Sequence, residues 1–148
     1  MSAAGSSAEV VEPRLRVLIA DDDRDIRMLM RMILSDDERL TIVGEAEDGA
    51  DAVEQARKLQ PGGVVLDLNM PHLDGWQAAE AILTEAPGTA VVMFTSAQPG
   101  LDSPPHPTIV KASPNWTQRL VSTLVHSAAQ IAVDWPAWER RSRDRAGG

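Results

Sequence analysis

The chain has 148 residues, 43% of them hydrophobic, no cysteine and a formal net charge of −8. That is enough for one acidic domain that buries roughly 68–70% of its unfolded surface unaided, and it excludes disulfides, thiol chemistry and Cys-ligated zinc. The charge argues against direct nucleic-acid binding, the only basic cluster being ERRSRDR at 139–145; with no apolar run near the ~20 residues of a membrane span and no leader-like N-terminus, a cytoplasmic protein without membrane contact is expected.

Residues 1–14 are rich in Ser, Ala and Gly, lack an apolar period and are expected to form a disordered lead-in. From Leu15 onward short apolar runs alternate with longer amphipathic stretches, the pattern of a parallel sheet covered by helices. The spacing predicts a strand over 15–20, then a helix over 24–34 from the recurrence of Ile26, Met30 and Ile33. A second strand follows over 40–45, and a helix over 49–59 carries Ala52, Val53 and Ala56 on one face before the breaker Pro61-Gly62-Gly63. Next come a strand over 64–67, a turn over 71–75, a helix over 76–85 stopped by Pro87-Gly88, and a strand over 90–95.

Residues 97–107 contain four prolines and one glycine, which suits an irregular crossover rather than a helix. Fully extended, they reach ~36 Å, enough to return along a six-residue strand of ~20 Å. A short fifth strand is expected over 108–111, then Ser113 as N-cap and Pro114 at N1 of a helix that carries Leu120, Leu124, Ala128 and Ile131 to about Val133. The domain is thus expected over 15–133, with 134–148 a tail containing two tryptophans and four arginines.

In an open parallel sheet, ligands bind beyond the carboxyl ends of the strands. Here the first strand ends in Asp21-Asp22-Asp23, the third in Asp67, the fourth in Thr95-Ser96 and the fifth in Lys111. Three adjacent aspartates alone would read as a solvated helix start. With Asp67, a hydroxyl and an ammonium at the same rim, they read as a site. Clustered carboxylates repel unless a cation neutralises them, and an all-oxygen set suits Mg²⁺. One carboxylate can then attack a phosphoryl group while Lys111 and Thr95 stabilise its oxygens. His72, His106 and His126 have no metal-ligand spacing and are given no function.

The runs VLIADDD (17–23), GEAEDGADAV (44–53), VVLDLNMPHLDG (64–75), VVMFTS (91–96) and IVK (109–111), with Asp67 45 positions after Asp22, resemble the receiver domain of bacterial two-component response regulators, the GEAEDG stretch most like its NarL-type branch. The resemblance implies a flavodoxin-like, CheY-like α/β fold with five parallel strands in the order 2-1-3-4-5. It also implies Asp67 as phosphoryl acceptor, with Thr95 and Lys111 acting on the phosphoryl group. Mg²⁺ would be held by Asp22, Asp67 and the Asn69 backbone carbonyl, with Asp21 helping through water. The implied donor is a sensor histidine kinase or a histidine phosphotransfer protein; the output would be contact with a downstream protein or a homodimer, not turnover as an enzyme.

Three features depart from that pattern. The crossover leaves the family's fourth helix shortened or missing; Thr108 stands where an aromatic is usual; and Ala112, not proline, follows Lys111, so a trans bond is expected there. They leave open a phosphorylation-independent binding module, while a longer reading frame would make the chain the receiver part of a NarL-type DNA-binding regulator. An aspartate-nucleophile phosphatase of the haloacid dehalogenase type is disfavoured, because Asp21–Asp25 lacks that class's DxDxT threonine.

Overall fold

The computed structural model describes residues 14–70, 73–96, 106–111 and 113–134. In chain order the elements are β1 (Leu15–Ala20), α1 (Arg24–Ser35), β2 (Leu40–Ala46), α2 (Gly49–Leu59), β3 (Gly63–Leu66), α3 (Gly75–Glu85), β4 (Ala90–Thr95), β5 (Thr108–Val110) and α4 (Trp116–Asp134). All strand pairs are parallel, and the sheet order is β2-β1-β3-β4-β5, as expected.

Val17 to Ala20, Val64 to Leu66 and Val92 to Met93 are fully shielded, because helices cover both faces of the central strands. Side-chain alternation then divides the core. Leu18, Ala20, Val64, Leu66, Val91 and Met93 face Ala52 and Ala56 of α2 and Ala78, Ala79 and Ile82 of α3. Val17, Ile19, Val65, Val92, Phe94 and Ile109 face Met30 and Leu34 of α1 and Leu120, Val121 and Leu124 of α4.

The helix starts are set by side-chain caps. Asp23 accepts from the N–H groups of Asp25 and Ile26, and Asp48 from that of Asp51. Asp74 and Gln77 form a reciprocal capping box that starts α3 at Gly75, one residue earlier than predicted. β2 continues to Ala46, while β3 begins and ends one residue before the predicted strand.

The predicted start of the last helix is incorrect. Ser113 does not cap it: its hydroxyl donates back to the Val110 carbonyl at 2.6 Å. Asn115 adopts φ 56°, the left-handed region, and its carbonyl accepts the first helical bond from Arg119. The chain therefore makes one more turn before α4 begins at Trp116.

Four helices are present among the described residues. The predicted lead-in 1–14 except Arg14, the predicted tail 134–148 except Asp134, the greater part of the Pro-rich crossover (97–105) and the Lys111–Ala112 bond fall outside them. Among the described residues no helix is long and apolar enough to cross a membrane.

Candidate functional site

The chain leaves β1 toward β2 on one side and returns to β3 on the other, so the connections diverge between β1 and β3. This switch point is where an open sheet forms a crevice. Asp21 and Asp67 cap its two strands. The Asp67 N–H donates to the Ala20 carbonyl at 2.9 Å and the Asp21 N–H to the Ala46 carbonyl at 3.1 Å, so the backbone itself fixes both carboxylates at the rim.

Asp21 is fully buried, Asp67 is 5% exposed and Asp22 is open to solvent. One carboxylate oxygen from each of the three lies within 4.8 Å of the others. Lys111 comes from just past β5, where its N–H donates to the Thr95 carbonyl at 2.7 Å. Its Nζ lies 2.9 Å from Asp21 Oδ2 and 3.7 Å from Asp67 Oδ2. Thr95, fully buried, ends the strand between Asp67 and Lys111. Of the residues named from sequence at the strand ends, Asp21, Asp22, Asp67 and Lys111 therefore converge, Thr95 ends the adjacent strand, and Asp23 caps α1 instead.

Burial, then the neighbouring Asp21 carboxylate, push the Asp67 carboxyl up to about 6; the Lys111 ammonium and the Asn69 N–H pull it back, while Asp22 adds to the rise. Asn69 is exposed, and its N–H donates to Asp67 Oδ1 at 3.2 Å. Both oxygens of Asp21 already have partners: Oδ1 accepts from the Asp23 N–H at 2.9 Å and Oδ2 from Lys111. Asp22, open to solvent, is thus the most available oxygen donor of the three, while Asp67 Oδ2 has only the looser 3.7 Å contact with Lys111. The all-oxygen, excess-negative set fits a hard divalent cation such as Mg²⁺.

Three residues that sequence reading did not single out shape the site. Arg27, one turn into α1, donates to the Asp21 carbonyl at 2.6 Å and pairs with Glu45 at 3.6 Å. Gly75 lets α3 press against the loop after Asp67: a Cβ there would lie 2.5 Å from Leu68 Cα and 2.7 Å from the Asp67 carbonyl oxygen. Phe94 lies under Lys111, whose Nζ is 5.4 Å from the ring centroid. Arg27 reads in sequence as a solvated helix residue, Phe94 as plain core and Gly75 as the end of a turn. Among the histidines, His106 and His126 line a groove of about 300 Å³ with Leu83, Val91 and Ile131, away from the carboxylates, and His72 is outside the described residues.

Residues 17–102 match the family model of the response regulator receiver domain. Protein-glutamate methylesterase/protein-glutamine glutaminase 4 of Myxococcus xanthus is 46% identical over 81 residues, 55% of this chain and 23% of that protein. The corresponding enzyme of Symbiobacterium thermophilum is 41% identical over 86 residues, 58% of this chain and 24% of that protein. This chain thus spans about a quarter of the length of these curated relatives. Among solved structures, the response regulator domain of Thermotoga maritima CheB aligns with 27% identity and a TM-score of 0.65 over 84% of this chain and all of that domain. The signal receiver domain of the putative response regulator NarL from Mycobacterium tuberculosis aligns with 28% identity and a TM-score of 0.68 over 80% of this chain and 98% of that one. Because the family match takes in more than half of the sequence, and with it the strands that deliver Asp21, Asp67 and Thr95, this chain belongs to the response regulator receiver domain family.

Proposed function

We propose that the chain accepts a phosphoryl group on Asp67 from a phosphohistidine of a sensor kinase or phosphotransfer protein, and signals through contact with another protein. The observation that carries this reading is the convergence on Asp67 of two further carboxylates and one ammonium, delivered by the ends of β1 and β5. In the transfer, an Asp67 carboxylate oxygen forms the new O–P bond as the P–N bond to the donor imidazole breaks, its electron pair returning to the ring nitrogen. Bound Mg²⁺, held by Asp22, Asp67 and the Asn69 backbone carbonyl with Asp21 acting through water, would supply countercharge to the carboxylates and the phosphoryl oxygens.

The chain's own groups do the rest. Lys111 has to exchange its closer contact with Asp21 for the phosphoryl oxygens, and the 3.7 Å separation from Asp67 leaves it within reach of both. Thr95 offers a hydroxyl donor from the buried rim. The methylesterase and glutaminase activities in the relatives' names belong to those proteins, only about a quarter of whose length aligns with this chain. The bound state biases a two-state surface instead of releasing a product.

The test is intact mass after incubation with acetyl phosphate, with and without Mg²⁺, for wild type and Asp67→Ala. A Mg²⁺-dependent gain of one phosphoryl group in wild type alone supports the reading. No gain, together with no binding of beryllofluoride, refutes it in favour of a phosphorylation-independent binding module, a reading favoured by Thr108 at the position where the family usually has an aromatic.

A further inference from the structure

We propose that Phe94 is a positioning residue for Lys111, its ring face holding the ammonium at the height of the acceptor carboxylate; the proposal rests on the acceptor reading above. The placement follows from strand register. Phe94 pairs with Ile109 across β4 and β5, and Lys111 lies two residues beyond Ile109, on the same face of the sheet. The lysine stem is thereby directed over the ring, bringing Nζ to 5.4 Å from its centroid, inside the range of cation–π attraction. The ring is itself fixed: Phe94 is 2% exposed and stacks on Trp116, the first residue of α4, with centroids 5.1 Å apart and planes tilted by 35°.

A lysine side chain has four rotatable bonds and one strong point contact here, Asp21. That contact draws the ammonium toward the wrong carboxylate, 2.9 Å against 3.7 Å. The ring attracts the ammonium from below and does not compete for its N–H donors, so it can hold the charge in place while hydrogen bonds shift from Asp21 to an incoming phosphoryl oxygen. The Lys111 side chain is only 19% exposed, which limits screening of the attraction by water. A leucine at 94 would fill the volume and lack the negative face.

The composition makes the test clean. Phe94 is the only phenylalanine in the chain, and Lys111 and Lys58 are the only lysines. Growth on fluorinated phenylalanines therefore alters one ring without changing its shape much, and ¹³C-lysine gives two ε-methylene signals, with Lys58, 63% exposed, as internal reference. The Lys111 ε-methylene protons should lie upfield of those of Lys58, a displacement lost in Phe94→Leu. Beryllofluoride affinity should fall stepwise from mono- to trifluorophenylalanine, by about threefold to tenfold in total, while Mg²⁺ affinity and thermal midpoint hold. A merely structural ring would change the midpoint and Mg²⁺ affinity together. A flat fluorination series in a protein that binds beryllofluoride, or a Lys111 signal coincident with that of Lys58, overturns the proposal. If wild type binds no beryllofluoride yet the upfield signal is present, the acceptor reading falls and the hold of Phe94 on Lys111 is upheld.

Discussion

Replacing Asp67 with asparagine should stabilise the metal-free protein at neutral pH, an effect opposite to that of most substitutions of a buried polar residue. Asp67 is 5% exposed and its carboxyl is raised to about 6 from 3.8, by burial first and by Asp21 next. A folded-state value above the unfolded one means that the folded chain holds the proton more tightly. Below pH ~4 the group is protonated in both states and exacts no electrostatic cost. As pH rises through 6, the folded state must accept a buried charge, and stability is lost. A rise of about two units corresponds to about 3 kcal/mol, an upper bound because the asparagine amide gives up part of the bond that Oδ1 accepts from the Asn69 N–H. In EDTA, urea denaturation should show Asp67→Asn about 1–3 kcal/mol more stable than wild type at pH 7.5, the difference closing by pH 4. Mg²⁺ should reverse the ranking by stabilising wild type through mass action and the variant far less. A difference that is the same at pH 4 and pH 7.5, or a variant less stable than wild type at pH 7.5 in EDTA, would refute the reasoning.

Other consequences are as specific. Thr89→Val leaves the Pro61 carbonyl without the buried hydroxyl that donates to it at 2.7 Å, so urea denaturation should show a loss of about 1–3 kcal/mol. Asp74→Ala removes the half of the α3 capping box in which Asp74 Oδ1 accepts from the Gln77 N–H, leaving the backbone N–H of residue 74 to Gln77 Oε1, and should cost about 1 kcal/mol, with the amides of 75–77 exchanging faster in hydrogen-exchange NMR. Gly75→Ala drives a methyl against the backbone of Asp67 and Leu68; we expect about 1–3 kcal/mol of destabilisation and weakened beryllofluoride binding, read by calorimetry.

The sheet and its rim were legible in the sequence because buried parallel strands read as unbroken apolar runs, and the runs of β1, β3 and β5 are each followed by a charged residue foreign to an apolar core. Asp21, Asp67 and Lys111 announce the carboxyl ends of β1, β3 and β5, and topology alone then brings them together. The start of α4 was not legible. Ser113-Pro114 has the composition of a cap, but the Ser113 hydroxyl finds a nearer acceptor in Val110, and Asn115 accepts the left-handed conformation that re-aims the chain. Arg27 and Phe94 stayed hidden for different reasons. A helical arginine carries no mark of which carbonyl it will reach, and a phenylalanine in a buried strand has the same pattern whether its ring only fills space or also faces a cation.

The part of the chain that departs most from its family's pattern is also the part that completes the site. The family match ends at residue 102, whereas Lys111 lies beyond it, at the end of a strand of three residues paired only with β4. Three ladder pairs are a weak hold on an edge strand. What fixes β5 is side-chain packing: Ile109 is 3% exposed among Leu120, Val121 and Leu124 of α4 and Phe94 of β4. The position of the ammonium beside Asp67 is therefore set by the short β4/β5 register, extended by the Lys111 N–H bond to the Thr95 carbonyl, and reinforced by the apolar face of α4 acting through Ile109 and Phe94. The same coupling runs in reverse. On the proposed acceptor role, a shift of Lys111 from Asp21 toward a phosphoryl group would bear on Phe94, and through its stack with Trp116 on the first turn of α4, and would give a signal formed at Asp67 a packed route to the surface that does not require an aromatic residue at position 108.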